Sequence, residues 1–112
     1  MPQQVLEGGK AALEAFEAEH MTEAQFSVKV LREAAAQDWT CYHTWRSDHS
    51  AAGYPDLTLV RRDRICFAEL KSEHGRVKPI QLAWLGALRA TGKVEVYLWR
   101  PSMMEEVRRV LA

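Results

Sequence analysis

Long apolar runs are missing from this chain of 112 residues, and none approaches the ~20 consecutive apolar residues that a membrane helix needs. No membrane segment is therefore expected. The opening Met1-Pro2-Gln3-Gln4 also lacks the basic start and apolar stretch of a secretion signal, which predicts a cytoplasmic protein. Cysteine is scarce: Cys41 and Cys66 stand far apart without metal-type spacing, and a reducing compartment argues against a disulfide. Both read as small core residues. His20, His43, His49 and His74 recur at no metal-ligand interval, which argues against zinc. A glycine-rich phosphate loop and a Gly-x-Ser-x-Gly nucleophile elbow are absent as well. So is any charge excess, since 15 basic and 15 acidic side chains cancel, which argues against a general nucleic-acid coat.

What is present fits an ordinary globular domain. Hydrophobic residues make up 47% and charged ones 27% of the chain, with no repeat or low-complexity tract. A single domain of this size buries roughly two-thirds of its unfolded surface. The zero net charge hides an asymmetry: residues 1–38 hold three basic and seven acidic side chains, net −4, and residues 39–112 hold twelve and eight, net +4. Trp39, Trp45, Trp84 and Trp99 could stack on bases, but their places in apolar patterns favour core packing.

Periodicity orders the elements. A weaker helix over about 3–19 (Val5, Leu6, Leu13, Phe16) is interrupted by Gly8-Gly9. Thr22-Glu23-Ala24-Gln25 has the form of a capping box, and Phe26, Val30, Leu31, Ala34 and Ala35 continue it as a helix over about 22–37. Residues 39–45 read as a strand and 47–53 as a loop. Two hairpin arms follow at 57–60 and 65–70. Pro79 opens a helix whose stripe is Ile80, Ala83, Trp84, Ala87 and Leu88, ending near Thr91-Gly92. Residues 94–99 form the fourth strand, and Met103, Val107, Val110 and Leu111 mark a short terminal helix whose apolar stripe is a candidate surface for self-association. A helix linking the third strand to the fourth is a crossover between parallel strands, so the expected fold is α/β, a mixed four-stranded sheet flanked by helices.

The chemistry concentrates in Gly53-Tyr54-Pro55-Asp56 and Glu69-Leu70-Lys71. If Arg62 and Asp63 tip the hairpin, residues whose numbers sum to 125 face each other, and Asp56 stands opposite Glu69 with Cβ atoms about 5 Å apart. A bulged loop would shift that pairing by one. Alternation places Lys71 on the face of Glu69, together with Thr58, Val60, Ile65 and Phe67. Opposed carboxylates destabilise a sheet unless a cation lies between them, and Mg²⁺ or Mn²⁺ is the cation that carboxylate and carbonyl oxygens suit. The plain alternative is a solvated sheet surface with Asp56 closing a Pro-Asp turn. Glu23 and Gln81 have both readings too: each starts a helix, where an acid or amide serves the helix end, and each can point toward the patch. Arg61, Arg62, Arg64, Lys71, Arg76 and Lys78 are expected around it, either merely solvated or in use.

Gly53-x-Pro55-Asp56, Glu69-x-Lys71 and Gln81, preceded by a helical Glu23, resemble the PD-(D/E)XK nuclease superfamily, and within it the virus-type replication-repair nuclease family, VRR-NUC. The resemblance spans residues 22 to about 100. It implies a restriction-endonuclease-like αβββαβ core over 22–100, an N-terminal helical extension over 1–21 and a C-terminal helix over 101–112. Also implied are Asp56 and Glu69 as ligands of Mg²⁺ or Mn²⁺, the carbonyl of Leu70 as a further ligand, and Glu23 as a direct or water-mediated one. Lys71 would position and help deprotonate the attacking water, and Gln81 would orient water or Lys71. Arg46, Arg61, Arg62, Arg64, Arg76 and Lys78 would contact the phosphate backbone. The expected activity is a metal-dependent DNA endonuclease of a stand-alone viral or bacterial type, associated with homodimers acting on branched or structured DNA. The competing reading is a nuclease-fold protein that binds or organises DNA without cutting it, or a small assembly protein.

Overall fold

The structure, a computed structural model, describes the backbone of residues 3–44 and 51–112, and side chains from residue 9 onward within those ranges. Two helices open the chain, α1 over Gln3–His20 and α2 over Glu23–Ala36. The capping box forms as the sequence predicts: the Gln25 amide donates to Thr22 Oγ1 at 3.1 Å, and the Thr22 amide to Gln25 Oε1 at 2.9 Å. The Gly8-Gly9 pair does not break α1, which runs unbroken through both. Glycine weakens a helix by about 1 kcal/mol per residue, and that cost is insufficient here to end it.

Strands β1 (Thr40–His43), β2 (Leu57–Arg61), β3 (Arg64–Leu70) and β4 (Glu95–Trp99) form one sheet in that order. The first two pairings are antiparallel and β3 with β4 is parallel. The crossover helix α3, Pro79–Ala90, joins β3 to β4, and α4, Met104–Leu111, follows a 3-10 turn at Pro101–Met103. This is the mixed four-stranded α/β architecture expected. Trp45, Arg46 and the first residues of the 47–53 loop lie outside the described residues.

Register comes out as the hairpin argument requires. Leu57 pairs with Ala68, Thr58 with Phe67 and Arg61 with Arg64, which leaves Arg62-Asp63 as a two-residue loop. Arg62 takes a left-handed φ of 57° to close it, a conformation in which a non-glycine side chain is strained. One sheet face carries Leu57, Leu59, Cys66, Ala68, Leu70 and Trp99, all buried against Phe26, Val30 and Ala34 of α2 and Met104, Val107 and Leu111 of α4. Cys41 and Cys66 sit on that face with Leu59 between them, two strand spacings or roughly 10 Å apart, beyond disulfide reach. Burial pushes the Cys66 thiol up to about 12. Trp39 and Trp99 are core residues, as expected.

Two apolar stripes differ from their sequence assignment. The terminal stripe, read from sequence as a surface for self-association, is consumed by the core: Met104, Val107 and Leu111 are buried. On α3 the inner residue is Leu85, while Ile80 is 48% exposed and Ala83 and Ala87 also face outward. The inward face is instead Gln81, Trp84, Leu85 and Leu88, the same helical spacing rotated by one residue. What sets this rotation is polar: Gln81 bonds inward at the first turn, and Trp84 Nε1 donates to the Ala52 carbonyl at 3.1 Å.

Candidate metal centre

The carboxylate end of the β2–β3 hairpin is assembled by backbone. Thr44 donates its amide to the Asp56 carbonyl at 2.8 Å and its hydroxyl to the Pro55 carbonyl at 2.6 Å, fastening the segment before β2 to the end of β1. Asp56 Oδ2 then accepts the Leu70 amide at 2.8 Å, which fixes its carboxylate beside the last residue of β3. Extending the observed pairing by one residue sets Asp56 across from Glu69. Lys71 continues β3, its amide donating to the Trp99 carbonyl at 3.0 Å.

Gly53 explains its own presence. Its φ is +82°, and a Cβ there would meet the Ile80 carbonyl oxygen at 2.7 Å and its carbon at 2.8 Å. Only glycine lets this loop lie against the first turn of α3, and that turn carries Gln81. The Gln81 Nε2 donates to Glu69 Oε1 at 3.4 Å, a long contact, while its Oε1 accepts the Lys78 amide at 2.8 Å. Gln81 is thus both a helix-start residue and a neighbour of the carboxylates, so the two sequence readings hold together.

Burial makes the site electrostatically costly. Glu69 is 1% exposed and Lys71 8%, and among the described residues Glu69 Oε2 has no hydrogen-bond partner. Burial first, then the close Asp56 carboxylate, push the Glu69 carboxyl up to about 9; the Lys71 ammonium opposes the shift and Glu23 adds to it. Through that charge Glu23, the first residue of α2, bears on the pair. Among the described residues no three His, Cys, Asp or Glu side chains stand close enough together to hold a metal ion. The donors brought together are therefore the two carboxylates, with the Leu70 backbone alongside. An unsatisfied buried carboxylate oxygen paired with a second carboxylate is a hard-oxygen set that fits Mg²⁺ or Mn²⁺.

The six basic residues divide. Arg76 and Lys78 are exposed on the segment leading into α3, next to Gln81. Arg61, Arg62 and Arg64 are not gathered at the carboxylates: they occupy the hairpin tip, five strand residues or about 17 Å from Asp56. Two are also internally engaged. Arg61 donates to the Gln37, Leu111 and Ala112 carbonyls, each at 3.0 Å, and Arg64 makes a two-point pair with Glu95 at 2.7 Å. Both lie over the Trp39 ring, at 4.6 and 4.8 Å. Arg46 lies outside the described residues.

Sequence reasoning missed Arg100. Its Nη1 donates to the Ser72, Glu73 and Gly75 carbonyls at 2.8, 3.1 and 2.8 Å, clamping the loop that leaves Lys71. The signal was an arginine ending the strand parallel to β3, where such a loop must pass. No known protein-family model and no curated protein matches this chain.

Proposed function

We propose that the chain is a metal-dependent phosphodiesterase acting on DNA, an endonuclease of the PD-(D/E)XK type with a motif pattern that resembles the VRR-NUC family. The observation carrying this reading is the buried Glu69 carboxylate, one oxygen unpartnered among the described residues, held beside Asp56 and followed two residues on by the buried Lys71. Asp56 and Glu69 would hold Mg²⁺ or Mn²⁺, with the Leu70 carbonyl as a further donor and Glu23 as a direct or water-mediated one. The ion supplies charge neutralisation at the scissile phosphate and an activated water. Lys71 brings a cationic N–H donor to the same face and orients the attacking water. Gln81 restrains Glu69 from the α3 side, and Arg76 and Lys78 offer phosphate contacts close to the site. Branched DNA with two-fold character is the substrate that suits a homodimer.

A second reading has its own support. A Glu69 carboxyl that keeps its proton near neutrality, in a site where the described residues bring together no three His, Cys, Asp or Glu side chains, suits a nuclease-fold protein that binds DNA without cutting it. The test is a cleavage panel of linear, flapped and four-way DNA with Mn²⁺ or Mg²⁺, run beside Asp56→Ala and Lys71→Ala. Cutting by the wild type and none by the variants supports the nuclease; equal cutting by all three sinks it. Titration calorimetry with Mn²⁺ separates the readings further, since heat that vanishes in Glu69→Ala requires an ion at the pair.

A further inference from the structure

Helix α1 is exposed over almost all of its described side chains: between residues 9 and 20 only Ala18 is buried. It packs on the Pro101–Met103 turn, and Ala11, Ala15 and Ala18 line the groove there. At 3.6 residues per turn those alanines share one face, while Gly9, Leu13, Phe16 and His20 share the opposite one. The arrangement is inverted relative to an ordinary surface helix, which turns its large apolar residues to its own core. Here the small side chains face inward, and Leu13 and Phe16 stand 57% and 61% exposed. Phe16 is also pre-ordered, because the His20 ring stacks on it at a centroid distance of 4.2 Å.

The outer residues fall at intervals of four, three and four, the a/d alternation of a coiled-coil seam, and the sequence continues it back to Leu6. We infer that α1 is an association arm whose seam of Gly9, Leu13, Phe16 and His20 packs antiparallel against α1 of a second copy of this chain. Charge selects both the occupant and the direction. With this seam Lys10 and Glu17 take the two e positions, and both are exposed. Antiparallel packing sets e against e, so Lys10 of each copy meets Glu17 of the other, twice by symmetry. Parallel packing would set them against Val5 and Ala12 and form neither pair. The remaining charged flank residue, Glu19, is already bonded to His74 of its own chain. Against one lysine, α1 carries Glu7, Glu14, Glu17 and Glu19, so an anionic membrane surface or nucleic acid meets repulsion with nothing to offset it, whereas a second α1 offsets part of the like charge through the two Lys10–Glu17 pairs.

This inference stands independently of the phosphodiesterase reading, and its test reads assembly rather than cleavage. A seam along an 18-residue helix is roughly 27 Å long, a short contact from which a reversible dimer is expected. Sedimentation velocity and light scattering on the full chain, up to about 100 µM, should show a concentration-dependent dimer. The double substitution Leu13→Glu with Phe16→Glu should weaken it about tenfold or more. Its melting curve should keep the wild-type shape, because neither side chain belongs to the monomer core. Lys10→Glu alone and Glu17→Lys alone should each weaken the dimer, and the two together should restore it. A wild type that stays monomeric, or that sediments with anionic vesicles instead of dimerising, overturns the proposal. Wild-type dimerisation by the Leu13/Phe16 variant overturns it as well, and failure of the double charge swap to rescue overturns the antiparallel pairing.

Discussion

Glu69 and Glu95 stand on neighbouring strands, β3 and β4, three positions apart in register, and their environments drive them in opposite directions. Glu95 receives two hydrogen bonds from Arg64 at 2.7 Å and one from the Tyr97 hydroxyl, and the Arg64 bonds chiefly hold its carboxyl down at about 2. Glu69 is buried beside another carboxylate with one oxygen unsatisfied, and its carboxyl is pushed up to about 9. A satisfied carboxylate strengthens a fold, whereas a frustrated one weakens it unless something else binds there. One end of the sheet thus holds a satisfied carboxylate and the other an unsatisfied one.

The comparison breaks most visibly in activity. Replacing Asp56 by Ala removes the partner carboxylate and leaves the Leu70 amide without its acceptor, so metal-dependent cleavage should fall by about 100-fold or more. Initial rates on the substrate that the wild type cuts best measure it. Gly53→Ala should cost about 2 kcal/mol or more in chemical denaturation, since the added carbon lands on the Ile80 backbone in a left-handed conformation. Activity should fall with it, because the displaced turn carries Gln81.

Glu69→Gln sharpens the contrast through pH. An acid whose folded-state pKa lies above its unfolded value of 4.5 takes up a proton on folding, so stability declines as pH rises from 4.5 toward 9. Removing the charge should abolish that decline and raise Tm by about 5 °C or more near pH 9 in chelator, while activity is lost. Added Mn²⁺ should stabilise the wild type but not the variant. No gain in Tm at alkaline pH would show that the buried carboxylate costs the fold nothing.

How much of this was legible in the sequence follows from what each signal depends on. The capping box, the Pro79 start and the strand order are local, and they appear where the residues put them. The facing of Asp56 and Glu69 was legible because a two-residue turn propagates its register along both arms. The inner face of α3 was misplaced by one residue because apolarity favoured Ile80, whereas hydrogen bonds from Gln81 and Trp84 to distant elements fix the rotation. The terminal stripe showed a helix with one apolar face but not what would cover it. Proximity in sequence likewise suggested that Arg61, Arg62 and Arg64 surround the carboxylates, though a hairpin tip lies a full arm's length from its base.

Glu95→Gln probes the satisfied end. A carboxyl whose folded-state pKa is depressed contributes stability that is present above 4.5 and lost as pH falls through about 2, so the variant should differ from wild type at pH 7 and converge with it in strong acid. The pair is about one-third exposed, and screening holds the expected loss to about 1 kcal/mol despite its two-point geometry. Because Arg64 also lies over Trp39, it keeps part of its packing when the charge partner goes, which limits the loss further. Urea denaturation at the two pH values decides it. A difference that persists in strong acid would mean that Glu95 acts through packing, and that the two ends of the sheet differ less in electrostatics than in the depth at which their carboxylates are held.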